Sequence, residues 1–458
     1  MSGSAETGRS APSSYGRGAA ILSVGIGVTG LITFGYFSLA SYSLEEAEYG
    51  RITLLWSAVF ITVSVLYRPV EQLLSRTIAD RDARGIAGTE HLRVAATIQL
   101  GLGVLFAVAA LLLRGPIEDD LFGGSEALYW ILIVTVLAYA ASYFARGFLA
   151  GHHHFGLYGG LVLMEASSRC LFALAVAVGI AEGQTAVALG MAAAPIVSLT
   201  VVPWAIGRRL RTSAAERPEP ARPGPNPQTT REPDPQTLDA AARDEPAATE
   251  PEFTLAHGTG FAVAVLLIML SEQTFLNAGP LLVEASEGQR GAALAGFTFN
   301  VLLIARAPLQ LFQAVQTSIL PHLTRLRASG ETDPFRRSVN LTLTAIAAFA
   351  ACVALVMLAV GPFVMDLVFG GDFDYERVGL VLVSLGMGLY LAAATLNQAL
   401  LAHGRAAQAA GAWAACAAAF ALFLLLADFD DRVLQVEIAF LGAAALLCAL
   451  LHTLYRRA

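Results

Sequence analysis

The chain has 458 residues, of which 56% are hydrophobic and only 14% are charged, and its mean hydropathy is +0.61. A soluble domain carries about a quarter of charged residues, so this composition excludes a soluble enzyme and indicates a membrane protein. The net charge of -7 arises from 36 acidic residues against 29 arginines, with no lysine. It gives no indication of nucleic-acid binding, because the position of each charge relative to the membrane is what matters.

Twelve segments are apolar over a length that can cross a bilayer as a helix. About 20 residues suffice, because the hydrocarbon core is about 30 Å thick. Barrel strands are excluded, since they are about 10 residues long and alternate in polarity. The predicted spans are roughly 18–40, 52–74, 92–113, 127–149, 157–180, 184–206, 255–283, 292–320, 339–360, 378–400, 406–427 and 434–455. The first is longer than a signal-peptide core and lacks a convincing cleavage site, so we predict that it is retained.

The arginines divide unequally between the two sets of connections. Twenty-two lie in the termini and in the connections that follow even-numbered spans, whereas five lie in the opposite connections. Those opposite connections are acidic instead, as in 45–48, 118–120 and 428–431. Because arginine is retained in short cytoplasmic loops, the sequence predicts that both termini are cytoplasmic.

Residues 207–254 differ in composition from the rest of the chain. They hold nine of the 19 prolines, mixed charges and almost no large apolar residues. Such a segment cannot bury enough surface to fold, so we expect a disordered cytoplasmic linker that acts as a spacer or as a regulatory segment. It would separate a polar terminus (1–17) and a six-helix bundle (18–206) from a second six-helix bundle (255–458).

Two similar segments indicate an internal duplication. Gly115-Pro116 is followed by Phe122-Gly123-Gly124, and Gly361-Pro362 is followed by Phe369-Gly370-Gly371, with the first glycines 246 positions apart. Either segment alone would be an ordinary loop. Two copies predict a repeated six-span unit, and an even number of spans gives the copies the same topology, related by an axis along the membrane normal.

The chain resembles the multidrug/oligosaccharidyl-lipid/polysaccharide exporter superfamily, and within it the bacterial polysaccharide flippases. The resemblance is carried by 44–50 (LEEAEYG), by 146–151 (RGFLAG) and by the repeated Gly-Pro and Phe-Gly-Gly segments. It implies an all-α polytopic membrane protein of about 12 helices, in two pseudo-symmetric six-helix bundles around a central cavity. It also implies alternating access that moves an undecaprenyl-pyrophosphate-linked glycan between the leaflets of the bacterial plasma membrane.

By this resemblance we expect a monomeric transporter without catalytic residues, cofactor or metal. Its partners would be the lipid-linked glycan, membrane lipid and the enzymes of polysaccharide assembly. A proton- or sodium-coupled multidrug exporter has the same fold and is an alternative. A peptidoglycan lipid-precursor flippase is a second alternative, although that branch usually has two further spans. A polysaccharide polymerase or ligase is disfavoured, because no predicted external loop exceeds about 17 residues and none holds a catalytic constellation.

We single out three arginines inside predicted spans, where a charge costs at least about 2.5 to 3.5 kcal/mol. Arg169 is near the middle of the fifth span, and Arg306 is deep in the eighth, shortly before Pro308. Arg68, directly before Pro69, has approximately the corresponding place in the second span. Arginines from opposite bundles could hold a pyrophosphate through paired, charge-assisted hydrogen bonds. The alternative for Arg68 is that it reaches the cytoplasmic interface.

Two carboxylates lie one helical turn from these arginines. Glu165 precedes Arg169 by four residues, and Glu71 follows Arg68 by three, so each could form an intrahelical ion pair. The alternative for Arg169 and Glu165 is a role in substrate binding or proton transfer.

Glu272 has no basic residue within a turn of the seventh span. We therefore predict that it is a protonatable or cation-binding group that couples transport to a proton or sodium gradient. The alternative is a carboxyl that hydrogen bonds to a neighbouring helix. Asn300 and Gln313 add polar positions that could line the cavity or join helices.

Overall fold

The computed structural model describes residues 14–83, 88–200, 255–287, 291–304, 332–370, 375–427 and 429–457. The helices in these ranges are α1 (Ser14–Ser43), α2 (Glu46–Leu66), α3 (Arg68–Ala83), α4 (Glu90–Leu112), α5 (Glu126–Gly151), α6 (Phe155–Ala177), α7 (Gly183–Ser198), α8 (Leu255–Glu287), α9 (Gly291–Ile304), α10 (Thr332–Phe369), α11 (Arg377–Ala402), α12 (Ala406–Leu426) and α13 (Arg432–Arg456). A π-helix, Pro116–Leu121, precedes α5. Within the described ranges there is no strand, and nine helical segments are long and apolar enough to cross a membrane. The prediction of an all-α polytopic membrane protein is confirmed.

Each of the twelve predicted spans overlaps a described helix. The second span is divided between α2 and α3, and the sixth and eighth are described only as far as Thr200 and Ile304. The predicted linker (207–254), Arg306 and Gln313 lie outside the described residues.

The helix of the second span is interrupted at Tyr67, where α2 meets α3. Pro69 has no amide hydrogen to donate to the carbonyl of Val65, which a regular helix would require. Hydrogen bonding continues on either side of it, from the Tyr67 amide to the Val63 carbonyl at 2.9 Å and from the Glu71 amide to the Tyr67 carbonyl at 3.0 Å. The chain therefore stays helical on both sides of the break, and because proline kinks a helix at such a site, we call this junction beside Arg68 the bend.

The two copies of the repeated segment share a buried phenylalanine and a left-handed glycine after it, although a π-helix precedes the first and an α-helix the second. Phe122 and Phe369 are both fully buried, with exposed fractions of 0% and 1%. The glycine after each is left-handed, with φ of 58° at Gly123 and 61° at Gly370, a conformation that glycine adopts without a steric cost. Each half therefore has a buried phenylalanine that anchors a glycine turn.

Packing divides the helices into two groups. In the first half, α1 and α7 pack against α6, and α3 packs against α5; in the second half, α10 and α13 pack against α11, and α8 packs against α12. The halves meet mainly through α2 with α8 and α1 with α10. Of the nine candidate spans, α4 and α10 are the least buried, as expected of helices that face lipid.

Two ends of the bundle can be distinguished by charge. We call the end where α1 leads into α2 the acidic end, because Glu45, Glu46 and Glu48 lie there, and the turn containing Gly123 contacts Arg51 at this end. We call the opposite end the arginine-rich end. There, Nη2 of Arg405 donates to the Arg457 carbonyl at 2.7 Å and ties α12 to the end of α13.

Candidate functional site

Arg68 lies at the bend between α2 and α3 and is partly exposed. Within the described part of the chain, its guanidinium donates no hydrogen bond and forms no ion pair. The charges that act on it are those of Glu71, on its own helix, and Glu272, on α8 of the other half, and the hydroxyls of Tyr143 and Tyr158 are also near. Arg68 therefore presents a free guanidinium where the two halves face each other.

The basic neighbour of Glu272 lies in the first half of the chain. The charge that acts on it is Arg68, and the hydroxyl of Tyr390 on α11 is beside its carboxyl. No basic residue lies within one turn of Glu272 on α8, so a local sequence pattern does not indicate this partner. The structure thus brings together Arg68 and Glu272, which were predicted separately.

Glu165 is buried between α5, α6 and α7, with an exposed fraction of 2%. Its carboxylate forms an ion pair with Nη2 of Arg146 on α5 and accepts hydrogen bonds from Ser142 Oγ at 2.5 Å and Ser198 Oγ at 3.3 Å. The predicted ion pair between Glu165 and Arg169 is therefore wrong. A better-placed guanidinium on α5 occupies the carboxylate.

Arg146 is a further charge inside a predicted span, the fourth, and the sequence pattern alone did not single it out. It lies within α5, and its guanidinium also stacks over the ring of Tyr143, 4.5 Å from the ring centre. The spacing of Ser142 and Arg146 by four residues puts both on one face of the helix. A hydroxyl and a guanidinium on one face of a predicted span are the feature of the sequence that could have indicated this site.

Arg169 is held by aromatic side chains instead of by a carboxylate. Nη1 donates to the hydroxyl of Tyr139 at 2.7 Å, and the guanidinium carbon lies 5.1 Å from the ring centre of Trp56 and 5.7 Å from that of Phe60. The ring faces stabilise the cation. The residue is only 4% exposed, and among the described residues nothing accepts a hydrogen bond from Nε. It is a buried cation whose hydrogen-bonding capacity is incompletely used.

Glu71 connects the bend to the buried ion pair. Its Oε1 accepts a hydrogen bond from the hydroxyl of Tyr158 on α6 at 2.8 Å. The charges of Arg146 and Arg68 both act on it. The predicted interaction with Arg68 is therefore electrostatic, whereas the direct hydrogen bond comes from another helix.

Five charged residues of the bundle form a continuous series, which we call the charged cluster: Glu272, Arg68, Glu71, Arg146 and Glu165. Among the described residues Arg68 is the cluster's cation without a direct partner, so it can donate hydrogen bonds to a phosphate oxygen without first breaking an ion pair. Electrostatic attraction is strong there, because the interior has a low dielectric constant. No group of His, Cys, Asp or Glu among the described residues could hold a metal ion.

Asn300 is fully buried but belongs to a different contact. Its Oδ1 accepts from the hydroxyl of Tyr49, and its Nδ2 donates to the hydroxyl of Tyr375 at 3.2 Å. These partners place it where the halves meet at the acidic end. These two hydrogen bonds hold the halves together and do not reach the charged cluster.

The described helices and the charged cluster define a polytopic membrane protein. No protein-family model and no curated protein sequence matches the chain. Several solved structures match over nearly its whole length. They include a multidrug resistance MATE family transporter of the MOP superfamily in an inward-facing conformation, with a TM-score of 0.61 and 12% identity, covering 96% of this chain and 97% of that chain.

The lipid II flippase MurJ in an inward closed conformation matches with a TM-score of 0.62 and 10% identity, covering 95% of this chain and 87% of that chain. A variant of the Vibrio cholerae MATE transporter VcmN matches with a TM-score of 0.58 and 16% identity, covering 97% and 98%. The chain therefore has the fold of the MOP superfamily, as the sequence resemblance predicted. Its structural neighbours are transporters and flippases, not enzymes.

Proposed function

We propose that the chain is an alternating-access flippase that moves an undecaprenyl-pyrophosphate-linked oligosaccharide or polysaccharide repeat unit from the cytoplasmic to the outer leaflet. The observation that carries the proposal is the free guanidinium of Arg68 between the two halves. A guanidinium suits the geometry of a phosphate, and its planar donors can bind two oxygens at once.

Arg169 and Arg306 complete the proposed pyrophosphate site. In the present conformation Arg169 is too buried to touch a large substrate, so it contributes through its field. Arg306 is included because of its place in the sequence, before a proline as Arg68 is. Arg68 would contact the anionic head group, and the positive charges of Arg169 and Arg306 would strengthen the attraction. The variable glycan would then occupy the wider cavity.

Glu272 is the proposed coupling group. It lies opposite Arg68 and beside Tyr390, so its charge and the substrate's charge act on the same guanidinium. A protonated or sodium-bound Glu272 would remove the negative charge that competes with the pyrophosphate for Arg68. This gives a physical route by which an ion gradient could drive export.

The decisive experiment uses purified protein in liposomes and a fluorescent lipid pyrophosphate carrying a short glycan. Arg68→Gln should lower its transfer to the outer leaflet at least about tenfold, whereas Arg68→Lys should retain part of it. Arg76→Gln is the matched control, since Arg76 is exposed on the same helix. Full transfer by a correctly inserted Arg68→Gln protein would contradict the proposal.

The same liposomes separate the alternatives. Export of cationic drugs with no transfer of the lipid pyrophosphate would favour a multidrug exporter, and transfer restricted to peptidoglycan precursors would favour that branch. We further propose a bacterial plasma-membrane location with both termini in the cytoplasm, because the arginine-rich connections fit that orientation.

A further inference from the structure

The two halves meet at the acidic end through three buried polar side chains. Tyr49 lies in the first turn of α2, Asn300 lies on α9, and Tyr375 lies two residues before the start of α11. Asn300 accepts a hydrogen bond from the Tyr49 hydroxyl and donates one to the Tyr375 hydroxyl at 3.2 Å. Their exposed fractions are 1%, 0% and 5% respectively, so the contact excludes water.

The backbones of the two halves also approach closely beside these side chains. A methyl group on Gly50 of α2 would lie 1.7 Å from the carbonyl oxygen of Ala292 on α9, and one on Gly296 would lie 3.0 Å from the Gly50 Cα. No side chain larger than hydrogen fits at Gly50 unless α2 and α9 move apart. Small residues permit such close contact between membrane helices.

Further contacts extend this interface to α1 and α10. The rings of Phe37 and Phe299 are 4.6 Å apart. The hydroxyl of Ser38 donates to the Val368 carbonyl, and that of Tyr42 donates to the Leu367 carbonyl at 2.7 Å. Hydrogen bonds of this kind can be exchanged for bonds to water when an interface opens, at a small net cost.

We propose that Tyr49, Asn300 and Tyr375 form a gate at the acidic end that is closed in this structure and opens once in each transport cycle. The inference rests on the proposed function for alternating access, since a substrate that enters between the halves must leave between them. The gate combines exchangeable hydrogen bonds with a backbone contact that forms in one register only. An interface of this type has two discrete arrangements, open and closed.

The test measures opening without any substrate. Cys170, Cys352, Cys416 and Cys448 are first replaced by serine, and Ser38→Cys then serves as a nearly isosteric reporter at the gate. Its reaction with a membrane-impermeant maleimide, added from the outer side, reports access to the gate. Gly50→Ala should raise the reaction rate about tenfold, because the added methyl group favours the open population.

The matched control is Gly35→Ala on α1, where an added methyl group would have no atom from elsewhere in the described part of the chain within 4 Å. It should leave the reaction rate unchanged. Equal rates in Gly50→Ala and Gly35→Ala would overturn the proposal. If Gly50→Ala does not accumulate in the membrane, Asn300→Leu decides the matter in the same way, because it removes both gate hydrogen bonds while keeping a side chain of similar volume.

Failure of the gate and failure of the flippase proposal are separable. A protein that transfers the lipid pyrophosphate in liposomes, but whose reporter rate is the same in Asn300→Leu and in the parent, contradicts the gate alone. A protein whose reporter responds as expected but which transfers no lipid pyrophosphate contradicts the flippase alone.

Discussion

The Arg146 guanidinium and the Glu165 carboxylate form an ion pair between α5 and α6, with side-chain exposures of 11% and 2%. Because Glu165 is occupied in this way, Arg169 on the next turn of α6 turns to Tyr139 and Trp56 instead. One carboxylate is thus close to two arginines in the first half. The pair and the remaining cation have different expected roles in stability.

We expect Arg146→Met to destabilise the protein by about 3 to 5 kcal/mol, since removing one partner of a buried pair leaves the other charge uncompensated. The double variant Arg146→Met/Glu165→Gln should recover much of this loss. Thermal unfolding in detergent, followed for the parent, both single variants and the double variant, measures the coupling free energy. Equal loss in the single Arg146→Met and double variants would show that the pair does not stabilise the fold.

Arg169 should behave in the opposite way. Arg169→Leu removes a buried cation that has no carboxylate partner, and replacing such a charge by an apolar group is often neutral or stabilising. We expect an unchanged or higher unfolding temperature together with loss of lipid pyrophosphate transfer. Tyr139→Phe is the control, because it removes the hydrogen bond and keeps the charge. A large drop in the unfolding temperature of Arg169→Leu would indicate a structural role.

The sequence predicted the helices better than it predicted their contacts. Apolar length was sufficient for the spans, because it reflects the requirements of the bilayer. The Phe-Gly-Gly repeat likewise corresponds to a shared local structure at Gly123 and Gly370. Pairings between helices were harder to predict. The four-residue spacing favoured Arg169 as a possible partner of Glu165, whereas the structure pairs Glu165 with Arg146 on another helix. Only the folded arrangement of α5 and α6 could decide between them.

A similar reason explains Asn300 and Glu272. Each was identified as an unusual polar residue in a span, which is a local property. Their partners lie 251 positions away for Asn300, at Tyr49, and in the other half for Glu272, at Arg68. No local pattern encodes which face of one half meets the other, so the sequence found the residues but not the interface they form.

Glu272→Gln should separate coupling from binding. Removing the carboxylate frees Arg68 from a competing negative charge, so we expect the lipid pyrophosphate to bind at least as tightly as in the parent. Transfer should no longer respond to an imposed proton or sodium gradient. The measurement compares binding and gradient-driven transfer in the same liposomes.

The control for Glu272→Gln is Glu284→Gln, a change of the same kind on the same helix, which should leave the gradient response intact. Its carboxyl is acted on by Arg51 and not by Arg68. An undiminished gradient response in Glu272→Gln would exclude Glu272 as the coupling group.

Pro69→Ala tests whether the bend beside Arg68 matters for transport. An alanine at this position can donate the missing hydrogen bond to the Val65 carbonyl, and alanine favours helix over proline by about 3 kcal/mol in a helix interior. Because the bent helix is already packed, we expect a net stabilisation of only about 1 kcal/mol. Straightening the helix should move Arg68 relative to Glu272 and lower lipid pyrophosphate transfer severalfold.

The control is Pro116→Ala, at an exposed site outside the spans, which should leave transfer unchanged. Transfer by Pro69→Ala at the rate of the parent would show that the bend is not required to present Arg68.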